Sequence, residues 1–74
     1  MSGAREGTVT VFDDARGLGE VTATDGAVFW FHCTQIAGGT RTIAVGTRVT
    51  FDVVAGHRGR WEAATVQPVP PPPL

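Results

Sequence analysis

The sequence predicts a small all-β fold, a barrel of five short strands. Ten glycines and ten threonines divide the chain into short runs of β-branched and aromatic residues. No stretch longer than about ten residues carries the 3.6-residue apolar period of an amphipathic helix. Five short strands in about 60 residues are too few for a two-sheet sandwich, so they favour a barrel.

Each strand is predicted from its own pattern of residues. The second and third strands are expected to form a hairpin through the turn Thr24-Asp25-Gly26, because Gly supplies the positive φ that the turn needs. In the fourth strand, Val49, Phe51 and Val53 occupy alternate positions and are expected to face the core. The five predicted strands cover residues 7–12, 19–22, 28–33, 48–54 and 61–66.

The chain length allows one domain, which we expect to span residues 1–67. Residues 68–74 contain all five prolines of the chain. Because proline has no amide proton to donate to a ladder, we expect the sheet to end at Gln67. The tail is then an extended polyproline II segment, either a plain terminus or a ligand for the aromatic groove of another protein.

The charge balance excludes a uniformly basic nucleic-acid wrapper. The chain has six arginines, no lysine and seven acidic residues, which give a net charge of −1. A charged fraction of 18% also argues against a charge-rich disordered protein. Any attraction to phosphate must therefore come from the local placement of arginines.

Several classes of site are not expected. Cys33 has no second thiol with which to form a disulfide or a zinc site, so we expect no metal. The N-terminus lacks the apolar run of a signal peptide, and the apolar stretch 27–31 is too short to cross a membrane. The expected setting is the cytoplasm, with no membrane association.

Catalysis is not expected either. Asp13 and Asp14 are adjacent acids at a strand end, where they are typical of a turn rather than of an acid–base pair. Gly17 and Gly19 form a G-x-G pattern, but no helix follows it to complete a phosphate-binding loop. We therefore expect a protein that is not an enzyme and uses no cofactor.

The third predicted strand carries the best candidate for contact with a base. Alternation places Phe29 and Phe31 on one face, while Trp30 and His32 share the other. Histidine favours the wet face, so the two phenylalanines are expected in the core and the indole outside. An exposed indole can stack on any base. The alternative is that Trp30 is buried under a loop, because the run around it is apolar throughout.

The order and spacing of these motifs resemble the cold-shock domain family. Residues 7–12 are similar to that family's opening strand, G-T-V-K-W-F. Residues 16–21 align with its first ribonucleoprotein motif, K-G-F-G-F-I, and residues 29–33 align with the second, V-F-V-H-F. The resemblance covers residues 5–67. It implies an OB-fold, a five-stranded antiparallel barrel that binds single-stranded DNA or RNA.

The departures from the family pattern lower the number of rings available for stacking. Val11 replaces the first-strand tryptophan, and Leu18 and Glu20 replace both phenylalanines of the first motif. Cys33 replaces the phenylalanine that follows the histidine. Because the resemblance places these changes on the exposed face, we expect the fold to persist and the binding to be weak.

The resemblance also suggests which residues contact nucleic acid. His32 can stack or donate a hydrogen bond, and arginines in the turns beside the exposed face can hold phosphates. Arg41 lies in the long linker and is expected to reach the same surface. Trp61 is expected to cap one end of the barrel rather than to widen the binding face. The expected contact residues are Trp30, His32, Arg16, Leu18, Arg58, Arg60 and Arg41.

The predicted function is weak, sequence-tolerant binding of single-stranded nucleic acid, with RNA chaperoning or transcript regulation under stress as its implied role. The alternative is a barrel that has lost this binding and serves as a protein-interaction module. The net charge of −1 and the position of Glu20 favour that alternative. The preference between RNA and DNA and the oligomeric state stay open.

Overall fold

The computed structural model describes residues 4–56 and 59–70 and contains the expected strands. Both ends of each predicted strand lie within two residues of the ends of the corresponding observed strand. A single turn of 3-10 helix, Cys33–Gln35, follows the third strand. Within the described ranges, no helix is long and apolar enough to cross a membrane. The strands are β1 (Arg5–Asp13), β2 (Leu18–Ala23), β3 (Val28–His32), β4 (Arg48–Ala55) and β5 (Trp61–Pro68).

The sheet closes on itself in the order β1-β2-β3-β5-β4, which confirms the five-stranded barrel. The pairs β1–β2, β2–β3, β4–β5 and β1–β4 are antiparallel. The pair β3–β5 is parallel, with Trp30 opposite Glu62. Strand directions cannot alternate all the way around a ring of five strands, because five is odd. The barrel is therefore antiparallel except at the pair that closes it.

The barrel interior is apolar. Among the described residues, no polar or charged side chain is buried. Val49 and Phe51 are buried as alternation predicts, and Val53 is half-buried against the same core. The largest fully buried side chains come from every strand: Val9, Val21, Phe31, Val49, Phe51 and Val66.

An irregularity in β1 decides which of its side chains reach the outer face. The β1–β2 register shifts between Val9 and Val11, so Val11 is exposed on the outside. The chain then turns the half-buried Phe12 toward the core, where its ring stacks on Phe31 with centroids 6.0 Å apart. Gly19 makes room for this pair, since a Cβ there would lie 2.5 Å from the Phe31 ring.

The predicted hairpin between β2 and β3 is present. Gly26 has φ of +92°, and its N–H donates to the carbonyl of Ala23 at 2.9 Å. The Asp25 carboxylate accepts a hydrogen bond from the N–H of Ala27 at 3.0 Å, so a side chain also stabilises the turn. The tight turn brings β2 and β3 into register over their whole length.

The sheet extends slightly past the point where proline was expected to stop it. Pro68 lies opposite Val49 at the end of β5. The N–H of Val69 then donates to the carbonyl of Arg48 at 2.9 Å. The first residues after Gln67 therefore still contact the barrel, while residues 71–74 lie outside the described part of the chain. The division at residue 67 stays a prediction.

Candidate nucleic-acid interface

Five side chains from three neighbouring strands share the outer face of the barrel. The cross-strand register places Glu20 between Val11 on β1 and Trp30 on β3. It also places Leu18 directly opposite His32. Directly opposite residues of an antiparallel pair have Cβ atoms about 4.5–5.5 Å apart, close enough to act together. We call these five residues, Val11, Leu18, Glu20, Trp30 and His32, the platform.

Trp30 lies on the platform with its side chain accessible. The residue is 41% exposed, whereas its neighbours Phe29 and Phe31 are 9% and 1% exposed. Strand alternation therefore places the three rings as the sequence predicts, and Trp30 is not buried under a loop. An indole at this exposure offers a π surface on which a planar base can stack.

His32 is held in place by the turn that follows it. Its Nδ1 accepts a hydrogen bond from the backbone N–H of Thr34 at 3.2 Å and lies 3.0 Å from the hydroxyl of the same residue. A neutral imidazole that accepts at Nδ1 carries its proton on Nε2. The Nε2–H group is then the donor that the ring can offer to a phosphate or to a base carbonyl.

A surface depression of about 300 Å³ lies beside Trp30 and His32. It is lined by Leu18, Trp30, Phe31, His32 and Glu62. Glu62 was not identified from the sequence, because its position beside Trp30 depends on the parallel pairing of β3 with β5. The alternation of β5 alone marks it as an outward residue but does not say which strand it faces.

The two carboxylates beside Trp30 have different surroundings. The Glu62 side chain folds over the backbone of Gly56, in space that a Cβ at that glycine would occupy. Glu20 is half-buried between its two cross-strand neighbours. Within residues 4–56 and 59–70, no hydrogen bond or ion pair engages the Glu20 carboxylate. Glu20 therefore lies beside the indole in the β2–β3 register, as Glu62 does in the β3–β5 register.

Three of the four predicted arginines lie in the described residues, each exposed outside the strands. Arg16 is in the β1–β2 turn, with its side chain 78% exposed and 4.0 Å from the Asp13 carboxylate. Arg60 is exposed just before β5 begins. Arg41 is exposed in the connection between β3 and β4. Arg58 lies outside the described residues.

Two further arginines pair with acids at other places on the surface. Arg5 contacts the carboxylate of Asp25 at 3.7 Å and lies over the ring of Phe29 at 5.6 Å. Arg48 contacts Glu6 at 3.5 Å. Both ion pairs are exposed to solvent.

Trp61 does not close the end of the barrel as the sequence analysis expected. It is 61% exposed and lies opposite Ala55 at the β4–β5 hairpin. Its strand position matches that of buried Ala63, but Trp61 is the first residue of β5 and lies at the end of the sheet. A second indole is therefore exposed to solvent, and it is not part of the platform.

No metal centre accompanies the platform. Across residues 4–56 and 59–70, no group of three or more His, Cys, Asp or Glu side chains is placed to hold a metal ion. Cys33 is buried in the core, where a side chain at Gly17 would meet its sulfur. The chemistry of this face is therefore that of an indole, an imidazole, two aliphatic side chains and a carboxylate.

A closed five-stranded barrel with this strand order and an exposed aromatic face is an OB-fold. The solved structure of Drosophila Unr CSD456 superposes on it with a TM-score of 0.78 at 24% identity. That match covers 95% of this chain and 28% of the Drosophila chain, so this chain spans little more than a quarter of that protein. At this level of identity, the comparison shows that the two structures share a fold.

Sequence comparisons identify the family. The model of the 'Cold-shock' DNA-binding domain matches residues 5–69, and the chain belongs to this family of nucleic-acid-binding domains. The chain is 38% identical to the major cold shock protein CspA of Pseudomonas aeruginosa, over 80% of this chain and 87% of the relative. It is 33% identical to the cold shock protein CspB of Bacillus caldolyticus, over 85% of this chain and 97% of the relative.

Proposed function

We propose that this protein binds single-stranded RNA or DNA on the platform, weakly and with limited sequence preference, in the cytoplasm. One base stacks on Trp30, and His32 stacks or donates from Nε2–H. Arginines in the adjoining loops hold the backbone. The role we propose is that of an RNA chaperone or transcript regulator, without enzymatic activity and without a cofactor.

The exposure of Trp30 is the observation that supports this proposal most directly. An exposed tryptophan in the middle of a sheet face, 41% accessible, leaves apolar surface in water that a base would cover. Stacking of one base on an aromatic side chain contributes about 1–3 kcal/mol. Leu18, half-buried across from His32, extends the apolar surface by one side chain.

The electrostatics explain why the binding is expected to be weak. The chain carries a net charge of −1, and Asp13 already pairs with Arg16 in the turn nearest to Leu18. A phosphate must compete with that carboxylate for the guanidinium group. Glu20 adds a negative charge on the platform itself. Stacking must therefore supply most of the affinity.

The proposal is tested by titrating a labelled single-stranded oligonucleotide of mixed sequence at low salt and following its anisotropy. Trp30→Ala should weaken binding by about 1–3 kcal/mol. Trp61→Ala is the matched control, since it removes an exposed indole outside the platform and should change the affinity less. Equal affinities for Trp30→Ala and the parent would reject the platform as the binding site.

A protein-interaction module is the second candidate, favoured by the two carboxylates that flank Trp30 in the strand register. The same titration separates the two functions. A parent protein that leaves the anisotropy of every oligonucleotide unchanged at low salt would favour this second candidate.

A further inference from the structure

The platform places one carboxylate directly beside its stacking ring. Glu20 and Trp30 are direct cross-strand partners on the outer face, so their Cβ atoms are about 4.5–5.5 Å apart. A base is wider than this separation. A base stacked on the indole therefore brings one of its edges within reach of the Glu20 carboxylate.

A carboxylate distinguishes bases by the hydrogen-bonding groups on their edges. It only accepts hydrogen bonds, so it pairs with exocyclic amino groups such as N4 of cytosine. Uracil and thymine have a carbonyl oxygen, O4, where cytosine has its amino group, and their one donor, N3–H, lies between two carbonyl oxygens that repel a carboxylate. An amino-bearing base therefore offsets the cost of placing nucleic acid against Glu20 better than uracil or thymine does.

The alternative carboxylate, Glu62, is less suited to this role. Its side chain folds over the backbone at Gly56, toward the β4–β5 hairpin. Glu20 lies between two apolar neighbours in the register, Val11 and Trp30, and no hydrogen bond or ion pair with the described residues engages its carboxylate. Apolar neighbours lower the local polarity, which strengthens a hydrogen bond to a charged acceptor.

We infer that Glu20 is a specificity-determining residue. The subsite at which a base stacks on Trp30 selects an amino-bearing base, which is cytosine, adenine or guanine, over uracil or thymine. This inference rests on the proposed binding of single-stranded nucleic acid to the platform. Stacking itself tolerates every base. Glu20 adds discrimination at this one subsite and makes polythymidine or polyuridine tracts the poorest ligands.

The test compares oligodeoxycytidine with oligodeoxyuridine of equal length, because the two pyrimidines differ only along the hydrogen-bonding edge. The parent should bind the cytidine oligomer at least about fivefold more tightly. In Glu20→Gln the affinities for the two oligomers should differ by no more than about twofold. Most of this change should arise because the variant binds the uridine oligomer more tightly. Glu20→Thr, which favours a strand, should lose the preference in the same way.

Glu6→Gln is the matched control for charge, because Glu6 pairs with Arg48 on another part of the barrel. This variant changes the net charge equally and should retain the parent's preference. Equal binding of both oligomers by the parent would overturn the inference. So would a Glu20→Gln variant that gains equally on both, since the carboxylate would then act only by repelling phosphate. If neither oligomer binds at low salt, the proposed function fails together with the inference.

Discussion

Thr65 holds an unfavourable backbone conformation within β5. Its φ is +51°, in the left-handed region that β-branched residues rarely adopt. The β4–β5 register shifts at this point, and the N–H of Thr65 donates to the side-chain oxygen of Gln35 at 3.3 Å. The bulge thus connects the strand to the 3-10 turn while placing strain on a residue poorly suited to it.

Thr65→Asn should stabilise the protein. Asparagine tolerates the left-handed region, and the exposed threonine side chain has no core contacts to lose. The expected gain in the free energy of unfolding is about 1 kcal/mol, which raises the Tm of a small domain by about 4–8 °C. Thr50→Asn is the control: it removes a β-branched residue from β4 at a position without a positive φ and should lower the Tm. A lower Tm for Thr65→Asn in thermal unfolding would contradict this account.

Glu20→Phe should convert a weak binder into a stronger one. The substitution removes a negative charge from the platform and places a ring next to Trp30 and Val11. One more stacked base contributes about 1–3 kcal/mol, so the affinity should rise at least several-fold at fixed salt. The measurement is the anisotropy titration already described, with circular dichroism to check the fold. A folded variant that binds no better would show that Glu20 is not on a nucleic-acid face.

The platform residues show what can be predicted from single residues in the sequence. Alternation in the third strand was enough to place Trp30 and His32 outside and the flanking phenylalanines inside. Alternation alone would bury Val11 beside Val9, because it cannot anticipate the register shift between them. Glu62 was missed for a related reason: its neighbour Trp30 belongs to a strand distant in sequence.

At the scale of elements, the local signals of the chain were sufficient to predict the strands. They were not sufficient to predict how the strands pair to close the barrel. The Asp25-Gly26 turn specifies the β2–β3 hairpin through hydrogen bonds between near neighbours. The parallel contact between β3 and β5 has no such local signature, because it follows from the closure of an odd number of strands. Long-range pairing of this kind depends on the fold as a whole.

The end of β5 gives a test at the same scale. Removal of residues 70–74 should leave the Tm nearly unchanged, because the contacts described at this end come from Pro68 and Val69. Removal of residues 68–74 also deletes the hydrogen bond from Val69 to Arg48. That bond is worth about 1 kcal/mol, or about 4–8 °C in Tm. Equal melting temperatures for the two truncations would show that the sheet ends at Gln67 after all.

At the scale of the whole molecule, charge limits how strongly phosphate can contribute. Three of the six arginines, Arg5, Arg16 and Arg48, are within ion-pair distance of acidic side chains. Exposed pairs of this kind are individually weak, but they reduce the positive potential that a nucleic acid meets. The barrel therefore depends on its platform more than on its surface charge.

The salt dependence of binding should accordingly be shallow. A single strand loses about 0.7 units of log affinity per unit of log salt for each phosphate that is neutralised. Three or four participating arginines then give a slope of roughly −2 to −3. The measurement is a series of titrations at increasing salt. A slope steeper than about −5 would reveal a basic surface that the described arginines do not provide.

The central claim, that nucleic acid binds on the platform around Trp30, is tested most directly by mapping the contact in solution. Nitrogen-15 correlation spectra of the labelled protein resolve the indole N–H groups of Trp30 and Trp61 as separate signals. Addition of a cytidine-rich oligonucleotide should shift the Trp30 indole and the backbone amides of Leu18, Glu20 and His32. The Trp61 indole should move much less. Shifts centred on Trp61 or on β4, with the Trp30 indole unchanged, would contradict the account.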